Sequence, residues 1–373
     1  MIKECIKTIF LNTLKINNFR NHKSFEIDLK EQRTIVLGCN GIGKSNLLES
    51  VEFLSQLTSN RALSDKDLIR NDSDMAVIIG QIDFKDDLRV NLLRKGSKKV
   101  YVNQSLLKKQ GDIKNYIQSV CFCSNDINIV KGEPNYRRVW IDKVVSQLEP
   151  VYVELMKRFT RLLKQRSHFW RSESFQKDLS SEIIESFDTQ MSIISTRIFR
   201  RRRRALAKIK PYVEYWHNYL SKSKEKIGIN YLSGIENINI EEEDEEEEVI
   251  RKKIAEQLLN QRSIESLTGK CNFGPHRDDI EFLINDISVR KFGSSGQQRT
   301  FILALKMAEL DLLYKIFKVP PILILDDVLA ELDITRQNLL LNSVGKDSQC
   351  LISATHLDKL NQSFLDSSQL IHL

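Results

Sequence analysis

Apolar and polar residues alternate in short runs through the first third of the chain. Leu14 to Asn17 and Ser24 to Leu29 alternate on either side of Asn18-Phe19-Arg20-Asn21-His22, which predicts an antiparallel hairpin. Ala76 to Phe84, Leu88 to Leu93 and Val100 to Asn103 predict further strands, the last two joined by the basic turn Arg94-Lys95-Gly96-Ser97-Lys98-Lys99, and Val120 to Cys123 predicts another. From Tyr136 the period changes. Val151 to Trp170 and Ser180 to Leu206 carry apolar residues at helical spacing with few glycines, so a mainly helical lobe follows the β-rich start. Ile280 to Ile284 returns to strand, Phe301 to Leu310 reads as an apolar helix, and Pro321 to Leu325 and Gln349 to Ser353 are the last strands.

The candidate chemistry sits at the ends of these elements. Thr34-Ile35-Val36-Leu37 reads as a buried strand and Asn46 to Leu54 as a helix, and between them Gly38-Cys39-Asn40-Gly41-Ile42-Gly43-Lys44-Ser45 fits the phosphate-binding pattern G-x-x-x-x-G-K-[ST] at every defined position. Glycines let backbone N–H groups turn inward around phosphate oxygens, and the helix N-terminus adds a favourable field for the same anion. Gly38, Asn40, Gly41, Gly43, Lys44, Ser45 and Asn46 are the expected nucleotide contacts, with Lys44 on the β- and γ-phosphates of ATP and the Ser45 hydroxyl on Mg²⁺. The apolar run Ile322 to Leu325 ends in two carboxylates, Asp326 for Mg²⁺ and Asp327 where a base or water-orienting group is needed. Ser294-Ser295-Gly296-Gln297-Gln298-Arg299 is a small-residue turn opening a helix, and Thr355-His356 ends the last strand.

Composition adds little to this and contradicts none of it. With 373 residues, 41% of them hydrophobic, two lobes are expected. Lys and Arg outnumber Asp and Glu by 57 to 50, for a formal charge of +7, which permits a polyanionic partner. Arg200, Arg201, Arg202, Arg203 and Arg204 wrap every side of a helix, which suits a solvated surface as well as a nucleic-acid contact, and with Lys98 and Lys99 they are the candidates for contacts to nucleic-acid phosphates. Glu241 to Glu248 is an acidic run expected to stay a disordered surface insertion without catalytic role. Six scattered cysteines form no C-x-x-C pair, and no apolar run reaches the roughly 18 to 20 residues of a membrane span, so a cytoplasmic protein with reduced thiols and no membrane partner is expected.

In this order, Gly38 to Ser45, Ser294 to Arg299, Asp326-Asp327, Ala330-Glu331-Leu332-Asp333 and His356 resemble the Walker A, signature, Walker B, D-loop and switch-histidine series of ABC-type ATPase heads. With Asn18 to Asn21, Gly132-Glu133-Pro134-Asn135-Tyr136-Arg137-Arg138 and Gly274-Pro275-His276-Arg277-Asp278 added, the series is similar to the RecF family of bacterial recombination mediators, from about Leu14 to His356. The resemblance implies an α/β ABC-type head with a P-loop mixed-sheet core, a mainly helical second lobe and no long coiled coil. Residues 1–130 and 273–373 would form the ATPase core and 131–272 the helical lobe.

It also implies an ATP-dependent homodimer. Ser295, Gly296 and Gln297 of one copy would meet the γ-phosphate held by the other, with Lys44, Ser295, Asp327 and His356 as the catalytic set. Asp327 is one methylene shorter than the glutamate of ABC transporters, so hydrolysis should be slow and DNA-stimulated. Implied partners are DNA, single- and double-stranded, at gap junctions, and RecR and RecO in loading RecA. Two features depart from the family pattern: Cys123-Ser124-Asn125-Asp126, where Ser-Pro-Glu-Asp is usual and a lobe-coupling role would fall on Asp126, and the acidic run. The rival readings are a transport-type ABC subunit, an SMC-like structural ATPase and a DNA clamp that does not hydrolyse ATP.

Overall fold

The computed structural model describes residues 9–59, 61–62, 64–171, 180–223, 225–235, 247–329, 332–343, 348–357 and 362–373. They fall into two compact units, Met1–Asp126 with Leu303–Leu373, and Ile127–Ile302.

The first unit opens with the hairpin β1 (Leu11–Phe19) and β2 (His22–Asp28), paired antiparallel with Ile16 opposite Phe25. Then come β3 (Arg33–Leu37), helix α1 (Lys44–Gln56), β4 (Met75–Ile82), β5 (Asp86–Leu93), β6 (Lys99–Val102), β7 (Ser105–Leu106) and β8 (Ser119–Cys123). The second unit holds α2 (Ile127–Lys131), α3 (Pro134–Leu148), α4 (Val151–Arg171), α5 (Ser180–Ser221), β9 (Ile227–Leu232), α6 (Glu247–Thr268), β10 (Asp279–Ile284), β11 (Ile287–Ser288), α7 (Val289–Phe292) and the start of α8 (Ser295–Phe317). From Leu303 the chain belongs to the first unit again, through β12 (Ile322–Asp326), α9 (Ile334–Ser343), β13 (Cys350–Ala354), α10 (Gln362–Asp366) and β14 (Gln369–His372).

The mixed β character of the first unit resolves into two sheets. One is antiparallel in the order β2-β1-β4-β5-β6-β7; the other is parallel in the order β14-β3-β13-β12-β8. The residue patterns explain the division. The antiparallel strands alternate buried and exposed positions, as one-faced sheets do, whereas β8 and β12 are buried at every position, as parallel strands covered on both faces require. Helix α1 packs against strands of both sheets. All its residues except Ser45 and Asn46 are buried. Its buried polar side chains therefore bond inside: the Ser50 hydroxyl donates to Leu47 O at 2.6 Å and Gln56 Nε2 to Ser119 O at 3.0 Å.

In the second unit α4, α5 and α6 pack together around buried charge. Arg166 donates to Glu265 at 2.9 Å and bonds Asp188, which also takes Arg262 at 2.6 Å. Two elements here have no counterpart in the expected ones: β9, although Ile227, Ile229 and Tyr231 alternate with Gly228 and Asn230, and α6, which begins inside the acidic run. Glu241 to Glu246 lie outside the described residues, but Glu247 and Glu248 are the first turn of α6, not a disordered insertion. Residues 279–284 pair with β9, so the stretch before Leu303 clusters with the helical unit rather than with the ATPase core.

Candidate functional site

The phosphate-binding loop needs two glycines for backbone reasons. Gly41 and Gly43 have φ of +84° and +122°, and a Cβ on Gly43 would lie 2.6 Å from His22 Nε2 and 2.8 Å from Asn21 Nδ2. That close approach is the hairpin tip bracing the loop. Asn21 Nδ2 donates to Ile42 O at 2.9 Å, Asn46 Nδ2 donates to Asn21 Oδ1 at 2.8 Å, and His22 Nε2 lies 3.0 Å from Gly43 O. One residue earlier, Arg20 grips buried Glu49 of α1 through two bonds of 2.9 and 2.8 Å. The Asn18 to Asn21 motif thus supports the loop it precedes in sequence.

Lys44 curls over its own loop, its ammonium donating to Gly38 O at 2.7 Å and Cys39 O at 3.0 Å. The parallel register brings the remaining candidates to the same edge. Ala354 pairs with Leu37 and Ser353 with Asp326, so β3, β12 and β13 all end beside the loop. The Ser45 hydroxyl lies near the Asp326 carboxylate and favours its charged form. Burial pushes that carboxyl up from the usual range, against the pull of Ser45, Ser353 and Arg61. Asp327 follows with φ +56°, a left-handed conformation that Asp tolerates better than most residues and that marks functional turns. Exposed His356 lies just past the end of β13.

Two site residues carried no motif signal. Buried Ser353 donates to Asp326 Oδ1 at 2.9 Å, stands 3.3 Å from Asp327 Oδ1 and accepts the Asp327 N–H at 2.8 Å, so one hydroxyl sets both carboxylates. Arg61 Nη1 is 3.9 Å from Asp326 Oδ2, a cation beside the carboxylate. Ser353 could have been found from its place on the strand expected next to the Asp326 strand; Arg61 could not, because it lies in a loop without pattern.

These residues fit Mg²⁺. Among the described residues no group of three or more His, Cys, Asp or Glu side chains is poised around a metal. A buried carboxylate near a serine hydroxyl at a phosphate loop is the small protein share that Mg²⁺ takes when phosphates supply other ligands.

The signature turn belongs to the second unit. Ser294 caps α8: its hydroxyl accepts the Gln297 N–H at 3.2 Å while Gln297 Oε1 accepts the Ser294 N–H at 2.9 Å. The cap uses the Gln297 N–H and Oε1. Ser295 stays exposed at the first position of the helix, followed by Gly296. Of the D-loop residues, Ala330 and Glu331 lie outside the described residues, and Asp333 caps α9 by accepting the Arg336 N–H at 2.9 Å. Asp126 bonds within the first unit, accepting the Cys123 N–H at 2.8 Å and facing buried Lys306 at 3.4 Å.

The candidate DNA contacts separate sharply. Arg202 is buried, bonded to Asp142 at 2.8 and 2.9 Å, Pro275 O at 2.8 Å and the Tyr231 hydroxyl at 3.1 Å, with Asp278 at 3.3 Å; it is a core residue and cannot reach DNA. Arg201 and Arg204 share Glu149, Arg200 bonds Glu247, and Arg203 lies over the Phe199 ring. Lys98 also turns inward, donating to Leu57 O at 2.5 Å and pairing with Asp65 at 2.9 Å, whereas Lys99 is exposed. Arg137 and Arg138 reach Asp279 and Asp278 O, so the two second-unit motifs lock to each other around Arg202.

Among the described residues no helix is long and apolar enough to cross a membrane. The RecF/RecN/SMC N terminal domain family matches residues 10–370. The DNA replication and repair protein RecF of Synechococcus sp. (strain CC9605) is 44% identical over 95% of this chain and 97% of its own. That of Nostoc punctiforme is 38% identical over 97% of each. The recombination mediator protein RecF, solved as RecF-ATPrS in the RecFOR pathway, superposes with a TM-score of 0.85 at 28% identity over 95% of this chain and 94% of that one. An Smc head domain from Pyrococcus furiosus shares the fold, with a TM-score of 0.51 at 13% identity over 98% of this chain and 93% of that one. The chain belongs to the RecF family of DNA replication and repair proteins.

Proposed function

We propose that this protein is a cytoplasmic, ATP-dependent DNA-binding protein of recombinational repair, two copies of which close on two ATP molecules. The observation that carries the reading is the division of labour at α8: Ser294 is consumed as the cap, and Ser295 stays exposed at a helix N-terminus, where an anion is favoured. In the closed dimer Ser295 and Gly296 would take the γ-phosphate held by Lys44 of the other copy. Mg²⁺ held by Ser45 and Asp326 supplies positive charge to the phosphate oxygens. Asp327, set by Ser353, orients the attacking water, His356 senses the γ-phosphate, and the short aspartate arm keeps turnover slow. Arg61, a cation beside Asp326, adds to the charge facing the phosphates. Relatives named for DNA replication and repair and for the RecFOR pathway support DNA as the substrate and RecR and RecO as partners; gap junctions as the site of action and help in loading RecA complete the proposal.

Size-exclusion chromatography with ATP and Mg²⁺, with and without gapped DNA, tests this. Wild type should elute as a dimer only with ATP and Ser295→Ala as a monomer in every condition. Wild type that stays monomeric at saturating ATP overturns the reading.

A further inference from the structure

On the exposed side of α5 two tyrosines stand one helical turn apart. Tyr215 is 59% and Tyr219 40% exposed, their ring centroids 6.3 Å apart and their planes within 14° of parallel. Buried Trp216 meets both edge-on, at centroid distances of 5.3 and 5.6 Å, so the two rings are braced from behind. Lys208 and Tyr212 precede them on the helix at spacings of four and three, on either side of Pro211, and Lys222 follows the last helical residue, Ser221, with φ +54°. Both lysines are exposed. Two carboxylates lie close in sequence. Glu214 is turned about 100° from Tyr215 around the helix, and Glu225 faces His217 at 3.5 Å.

Flat aromatic faces between cations on a rigid helix suit a ligand that alternates flat rings with negative charge. Duplex DNA shows phosphates but keeps its base faces covered; only unpaired bases offer a face to stack. An apolar protein surface would gain from the rings but not from the lysines. We propose that Tyr215 and Tyr219 form a stacking platform for unpaired bases of single-stranded DNA, with Lys208 and Lys222 on the flanking phosphates. The proposal rests on the DNA-binding reading above and gives it a strand preference: α5 takes the single-stranded side of a junction.

Fluorescence anisotropy of the full chain with ATP, against labelled oligo(dT) and against a blunt duplex, tests it. Tyr215→Ala with Tyr219→Ala should weaken oligo(dT) binding by about 10- to 100-fold, the range expected for losing one to two stacked bases, and leave duplex binding within about twofold. Tyr215→Phe with Tyr219→Phe keeps the ring faces and should bind as wild type. Replacing Lys208 and Lys222 by Ala should lower the salt slope for oligo(dT) by about one. The platform falls if the alanine pair binds oligo(dT) like wild type, in which case the face serves some other partner, or if it loses duplex and oligo(dT) binding equally. Wild type that binds duplex but not oligo(dT) ends the platform alone; wild type that binds neither ends the DNA-binding reading with it.

Discussion

One hydrogen on Ser353 serves two carboxylate oxygens. The hydroxyl can donate to only one of Asp326 and Asp327 at a time, and its lone pairs hold the Asp327 N–H, which fixes the left-handed turn that aims the second carboxylate. Ser353→Ala removes all three contacts and leaves the Asp327 N–H without its acceptor. Lys44 and the loop glycines are untouched, so binding of a fluorescent ATP analogue should stay within about threefold. Single-turnover phosphate release should fall tenfold or more, since orienting a reacting group carries large rate factors. Phosphate release unchanged in Ser353→Ala would show that Asp327 needs no such support. The same buried strand begins with a thiol of no use to chemistry: burial pushes Cys350 up to about 12, which leaves it protonated and inert.

At the scale of elements, adjacent serines at the start of α8 separate a structural from a functional role. Ser294 closes a reciprocal cap, so Ser294→Ala should lower the stability of this helix by about 1 kcal/mol, read as a drop in thermal midpoint. Ser295→Ala should leave the midpoint unchanged and abolish only the ATP-dependent dimer. The reverse pattern would exchange their roles. This division was not legible in the sequence, where both serines sit in one motif, because which serine caps depends on where the helix starts. The phosphate loop was legible because its meaning is local: glycine, lysine and serine at fixed spacing between a strand and a helix. The bracing hairpin was legible as a strand pair but not as a support, since Asn21 meets Ile42 and Asn46 only after the chain has folded back. Periodicity found α4 and α5 but neither α6, which starts within a run of glutamates, nor β9, a short strand defined by its pairing with β10.

At the scale of the whole molecule, the longest basic run of the sequence is not a row of free cations. Five successive arginines look like a phosphate-binding surface in the sequence, yet Arg202 organises the interior of the second unit and its neighbours meet Glu149, Glu247 and the Phe199 ring. A run that wraps a helix must place some members inward, and charge counting cannot tell which. The interior they help to build gives this unit its own response to acid. His276 is half-buried, with Nε2 3.0 Å from Cys271 O, and desolvation pulls it down to about 4. Unfolding returns it to about 6.5. The unfolded chain therefore takes up a proton first as pH falls. The contribution of His276 is complete above pH 6.5 and is lost progressively toward pH 4, amounting to about 2 kcal/mol between pH 7 and 5. All three tryptophans, Trp140, Trp170 and Trp216, lie in this unit, so their fluorescence follows its unfolding alone. Urea titrations read that way should show wild type losing stability between pH 7 and 5, and His276→Gln, which keeps a donor for Cys271 O but cannot titrate, losing about 2 kcal/mol less. Equal losses in the two proteins would place the acid sensitivity of the unit in another group.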